Sequence, residues 1–134
     1  LQVGLGTDVA GGYSASMLDC IRQTMVATNV IGMKPDEDGT KWKPLRCELV
    51  FQEAFHLATM GGAEVLGLQH LIGNFLPGKQ EIGLDGGNAN SLIDGPFDLF
   101  PELGQGMQTA FEKFIFMGDD RNIEQVYVAG KRVV

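Results

Sequence analysis

Apolar residues fall at helical spacing in three separate stretches of the chain. Leu18, Ile21 and Met25 form a stripe, Met17 and Val26 widen it, and Arg22 and Gln23 point the other way, which predicts an amphipathic helix that fades near Asn29. Ser16 stands where an N-cap belongs, and Asp19 three residues on gives a capping box with Asp in place of Glu. The strongest pattern runs from Glu48 to Thr59, where Val50, Ala54, Leu57 and Ala58 line one face with Phe51 and Phe55 beside it. Gly61-Gly62 end or bend this helix, Ala63 to Leu66 add a turn, and Gly67 stops it. A third helix is predicted from Leu103 to Phe114, with Met107, Ala110, Phe111 and Phe114 on one face.

The extended segments read differently. Val3 to Thr7 is short, apolar and glycine-containing, the pattern of a strand buried on both faces, and it runs into Asp8 and a loop with Gly11-Gly12. At the other end Val126-Tyr127-Val128, a turn at Ala129-Gly130 and then Val133-Val134 predict a hairpin. Residues 34–44 are polar and rich in breakers, the mark of an exposed connection. Residues 71–79 suggest short extended pieces around Pro77-Gly78, and residues 83–96 form a glycine-rich loop. A lone buried strand lacks the neighbours and crossover helices that parallel strands require, so its partners are expected in sequence beyond this chain. Its open edge and the apolar helix faces also lead us to expect a homo-oligomer, or a chain held by that further polypeptide.

Composition narrows the class. The 134 residues are 44% hydrophobic and fit one domain with a core, and no apolar run reaches the roughly 20 residues of a membrane-spanning helix. A net charge of −7 with scattered basic residues argues against nucleic acid as a partner. Cys20 and Cys47 form no CxxC pair and there is no Asn-x-Ser/Thr sequon, which points to reduced thiols and a cytoplasmic address. The first residues contain no Met and no signal-peptide pattern, so the chain is expected to start inside a longer polypeptide.

Candidate chemistry is sparse. Asp8 is a carboxylate at the end of a strand and before a glycine loop; in β/α barrels that rim carries catalytic groups, and a carboxylate there can ligate a divalent metal and accept a proton from water. From spacing alone the more ordinary use of such an Asp is to cap the following loop or helix. Val9 occupies a position where a GxGxxG phosphate loop needs glycine, and no Gly-Lys-Ser/Thr occurs. His56 and His70 belong to neither His-x-His nor His-Glu-x-x-His, so they read as structural or exposed. Ser14, Ser16 and Ser91 lack a Gly-x-Ser-x-Gly setting.

The run from Val3 to Asp19, Val-Gly-Leu-Gly-Thr-Asp-Val-Ala-Gly-Gly-Tyr-Ser-Ala-Ser-Met-Leu-Asp, closely resembles the last barrel strand and following helix of guanine deaminases in the amidohydrolase superfamily. Ala58-Thr59-Met60-Gly61-Gly62-Ala63 with Leu66-Gly67-Leu68, and Gly118-Asp119-Asp120-Arg121-Asn122-Ile123-Glu124 with Val126-Tyr127-Val128, agree in order and spacing. The resemblance implies an α/β chain: the C-terminal part of a metal-dependent (β/α)8 barrel in residues 1–70, and in residues 71–134 a C-terminal helix and β segments of a small β-sandwich. It also implies guanine as substrate, hydrolysed to xanthine and ammonia, with one catalytic Zn2+ for which Asp8 is both ligand and proton acceptor. The other ligands and the guanine-contacting residues would lie upstream of Leu1, leaving this chain inactive alone. A non-catalytic interaction module of amidohydrolase ancestry is the alternative. Residues 80–87 depart from the family pattern, being richer in glycine where an apolar strand is usual.

Overall fold

The computed structural model describes residues 2–12, 14–32, 49–76, 84–85, 106–123 and 125–133. Helix α1 spans Met17–Gly32 and starts at the expected cap. The Ser16 hydroxyl accepts the Asp19 N–H at 3.4 Å, while Ser14 Oγ accepts the Ser16 N–H at 3.1 Å and donates to the Asp19 carboxylate at 2.7 Å. The reciprocal arm of the capping box is therefore made through Ser14.

The second helix is continuous but changes its winding. It begins as α2 (Phe51–His56), passes through a π-helical stretch at Leu57–Gly61, and returns as α3 (Gly62–Val65). Glu53 closes its first turn by accepting the Val50 N–H at 3.0 Å. Thr59 Oγ1 donates to the Phe55 carbonyl at 2.9 Å at the transition. Gly61 and Gly62 both keep right-handed helical dihedrals, so the helix runs through the pair unbroken. Gly67 (φ +70°) ends it, with Leu68 N–H donating to the Ala63 carbonyl at 2.8 Å.

Helix α4 (Met107–Met117) packs Ile115 (0% exposed) against Ile21, Phe51 and Ala54, and this cluster is the centre of the core. Phe55 and Phe111 meet edge-on at 5.0 Å and Phe51 lies 6.1 Å from Phe111, so aromatic contacts lock α2 to α4. The 103–105 part of the expected third helix lies outside the described residues, as do the polar connection at 34–44, Pro77-Gly78 and Cys47.

The C-terminal hairpin forms as expected. Strands β2 (Gln125–Val128) and β3 (Lys131–Arg132) pair antiparallel, with Ala129 (φ +50°) and Gly130 (φ +74°) supplying the two left-handed positions of a tight turn. Two expectations need correction. Within the stretch read as a loop, Leu84–Asp85 is a strand, β1, paired antiparallel with β2 in the sheet order β1-β2-β3. Conversely, Val3 to Thr7 is not a strand: residues 2–8 have no ladder partner among the described residues, and Val3 is 48% exposed. A single strand cannot satisfy its own backbone, so Leu5 N–H turns instead to the carbonyl of Leu57 in the π stretch, at 3.0 Å.

Candidate functional site

The N-terminal segment is seated by glycine-to-glycine contact. A Cβ on Gly4 would lie 2.8 Å from the Gly62 Cα, and one on Gly61 would lie 2.7 Å from the Val3 carbonyl oxygen. Backbone therefore packs directly on backbone, and this close approach makes the Leu5–Leu57 hydrogen bond possible. Partly buried Cys20 adds a second tie, its thiol donating to the Gly6 carbonyl at 3.2 Å.

Beyond this anchor the chain makes a tight loop. Asp8 (φ +47°) and Ala10 (φ +82°) are both left-handed, a conformation that Asp tolerates and Ala rarely adopts. The Asp8 carbonyl accepts the Gly11 N–H at 2.9 Å and also the Gly12 N–H, and Val9 bridges to Gly12. The result is an exposed Asp8 whose side chain folds back over Gly11.

Other candidates are not brought to Asp8. His56 and His70 are exposed, and among the described residues no three His, Cys, Asp or Glu side chains gather into a group able to hold a metal. An open depression of about 150 Å³ beside the loop is lined by Thr7, Gly12, Ser14, Ser16, Asp19, Cys20 and Gln23. A wider one, about 500 Å³, lies between the start of α1 and Gly118, Asp119, Asp120 and Ile123. Neither includes Asp8.

Arg22 departs from its expected outward position. Its Nε donates to the Ile115 carbonyl at 2.7 Å, one terminal nitrogen donates to the Gly118 carbonyl at 2.5 Å, and the other pairs with Asp19 at 3.2 Å. A cation thus caps the C-terminus of α4, where the dipole is negative and carbonyls lack helical partners. Just beyond it, the Arg121 guanidinium grips the Asp119 carboxylate at 2.6 Å and holds that exposed carboxyl below its ordinary 3.8, chiefly through the side-chain hydrogen bonds. Helical periodicity could not reveal the Arg22 contacts, because the acceptors lie more than 90 residues away in sequence.

The family model described as the amidohydrolase family matches residues 1–133. The chain is 45% identical over its whole length to the guanine deaminase of Mus musculus and 33% identical over 99% of its length to that of Escherichia coli. It spans 28% and 26% of those two proteins. Among solved structures it is similar to guanine deaminase from Bradyrhizobium japonicum, with TM-score 0.69 and 27% identity, over the whole chain and 31% of that protein. It is likewise similar to guanine deaminase from C. acetobutylicum solved with guanine in the active site, with TM-score 0.65 and 28% identity, over 98% of the chain and 27% of that protein.

Proposed function

The chain belongs to the amidohydrolase family, and from that membership we propose that it is part of a zinc-dependent guanine deaminase in which Asp8 is a metal ligand. The reaction of the complete protein is guanine plus water giving xanthine plus ammonia. The observation that carries the reading is Asp8 itself: an exposed carboxylate on a tight left-handed loop, in a chain similar throughout to guanine deaminases. On this reading residues 1–70 close a (β/α)8 barrel and residues 71–134 contribute a helix and part of a small β-sandwich. The remaining ligands and the purine contacts come from further polypeptide, in keeping with the chain's roughly quarter share of its relatives' length. Exposed Val26, Val30, Leu66 and Phe75 fit a surface covered by that polypeptide or by a second copy.

The donor chemistry fits one position of such a site. A catalytic zinc takes three or so protein ligands from His, Asp and Glu and keeps one place open, and a carboxylate oxygen is an ordinary member of the set. Zinc, when bound, supplies the Lewis acidity that makes water nucleophilic at neutral pH. Asp8 would be one of the residues that hold the metal, and its carboxylate would accept the proton released as water attacks the carbon bearing the amino group.

Asp8→Asn in the complete protein tests this. Guanine turnover is expected to fall at least ~100-fold, the scale for losing a general base, with weakened zinc retention. The 134-residue chain alone is expected to release no ammonia from guanine with zinc added. Unchanged turnover and full zinc occupancy in Asp8→Asn would remove the assignment.

A further inference from the structure

Two adjacent glycines follow Asp8, and the structure separates what each does. A Cβ built on Gly11 would lie 2.6 Å from Asp8 Oδ2, 3.1 Å from Cγ and 3.2 Å from Oδ1, so its three nearest atoms all belong to one carboxylate. A Cβ on Gly12 would instead run into the Thr7 carbonyl and come within 3.1 Å of the Asp8 carbonyl, both backbone. Neither glycine is among those with a positive φ, so the backbone at both accepts an L-residue and only the space differs.

We propose that Gly11 is the positioning residue for the Asp8 carboxylate: the absence of a side chain at Gly11 lets that carboxylate fold back over the loop and face its metal position. This rests on the assignment of Asp8 as a ligand. A methyl group at Gly11 meets only the far end of a side chain with two free torsions. The carboxylate swings away and the loop stays folded, because no main-chain atom has to move. Restoring an ordinary van der Waals separation requires about 1 Å of movement at Oδ2. Metal–ligand distances tolerate only about 0.2 Å, so a shift of that size takes the oxygen out of coordination range. At Gly12 the same methyl group meets carbonyls that hold the turn, and the loop itself must open.

The test uses the complete protein stripped of metal, with the zinc dissociation constant measured by competition against a chromophoric chelator and the melting temperature measured on the metal-free form. Gly11→Ala is expected to weaken zinc binding about 10- to 100-fold, the range seen when groups that orient a ligand are lost, while the metal-free protein melts with the parent. Gly12→Ala is expected to lower the metal-free melting temperature. In an Asp8→Ala background, adding Gly11→Ala is expected to change zinc affinity less than about twofold, because the group it acts through is gone. Additive losses in that double variant would overturn the proposal, as would a metal-free Gly11→Ala protein that melts as low as Gly12→Ala. Parent-like zinc affinity in Gly11→Ala with impaired affinity in Asp8→Ala would overturn the positioning role alone. Parent-like affinity in Asp8→Ala would overturn the ligand assignment and the positioning role with it.

Discussion

Gly4→Ala carries the sharpest consequence for how the Asp8 segment is held. The new Cβ would sit 2.8 Å from the Gly62 Cα and 3.0 Å from its nitrogen, against backbone on the far side. Opening that gap by roughly 1 Å is an overpacking strain of about 1–3 kcal/mol, and the Leu5–Leu57 hydrogen bond, worth about 1 kcal/mol, is lost with it. Replacing a glycine also restricts the unfolded chain, which returns about 0.4–1 kcal/mol and leaves a net loss of about 1–3 kcal/mol. Thermal unfolding of the 134-residue chain, followed by far-UV circular dichroism, should then show a fall of about 4–12 °C, at roughly 4 °C per kcal/mol for this length. The matched control is two residues away. Gly6 has nothing within 4 Å of its would-be Cβ among the described residues, so Gly6→Ala keeps only the unfolded-state gain and should melt at or slightly above the parent. Opposite signs for two identical substitutions are the prediction. If both variants melt together, backbone contact with Gly62 does not seat the segment.

The Arg22 fork gives a second prediction: Arg22→Met leaves the Ile115 and Gly118 carbonyls without their donor, and amide exchange in the last turn of α4 should quicken by about tenfold or more, while Gln23→Met on the exposed side leaves it unchanged. The Asp119–Arg121 pair gives a third, on pH. A lowered carboxylate pKa means the pair's contribution is fully present above the ordinary 3.8 and fades as the pH falls through the lowered value, so Arg121→Ala should move the Asp119 carboxyl titration, read by NMR, back up toward 3.8.

What could be read from the sequence divides along the range of the interactions. The start of α1, the stop at Gly67 and the turn at Ala129-Gly130 depend on neighbours within five residues, and all were legible. The apolar pattern puts the start of α2 at Glu48, whereas the helix begins at Phe51, where Glu53 accepts the Val50 N–H. So was the apolar face of α1, because Ile21, Leu18 and Met25 repeat at a local period whatever they pack against. The strand expected at Val3 to Thr7 did not form, because a strand is a property of its neighbours and the composition of one segment cannot supply them. Leu84–Asp85 was missed for the converse reason, since its partners at Gln125 and Val126 lie some 40 residues on. The glycines were legible as breakers, but what a missing Cβ makes room for is a fact of three dimensions. Gly4 admits a helix backbone, Gly12 a carbonyl, and Gly11 a carboxylate.

That last distinction bears on how a carboxylate comes to be ready for a metal. Left-handed Asp8 and Ala10 each carry strain of the order of 1–3 kcal/mol, which persists only where surrounding structure over-determines the loop. The restraints lie on both sides of it. Upstream, Gly4 is seated on Gly62, Leu5 is bonded to Leu57, and Cys20 holds the Gly6 carbonyl. Within the turn, two amides converge on the Asp8 carbonyl. Downstream, Ser14 is bonded to Asp19, which pairs with Arg22, which in turn caps α4. Each of these ties is made by this chain's own groups, so the orientation of the Asp8 main chain is set before any metal arrives. The side-chain torsions remain, and Gly11 leaves the room that the Asp8 carboxylate occupies. A ligand whose backbone is fixed in advance has only its side-chain torsions left to order on coordination, which is how a restrained loop favours binding.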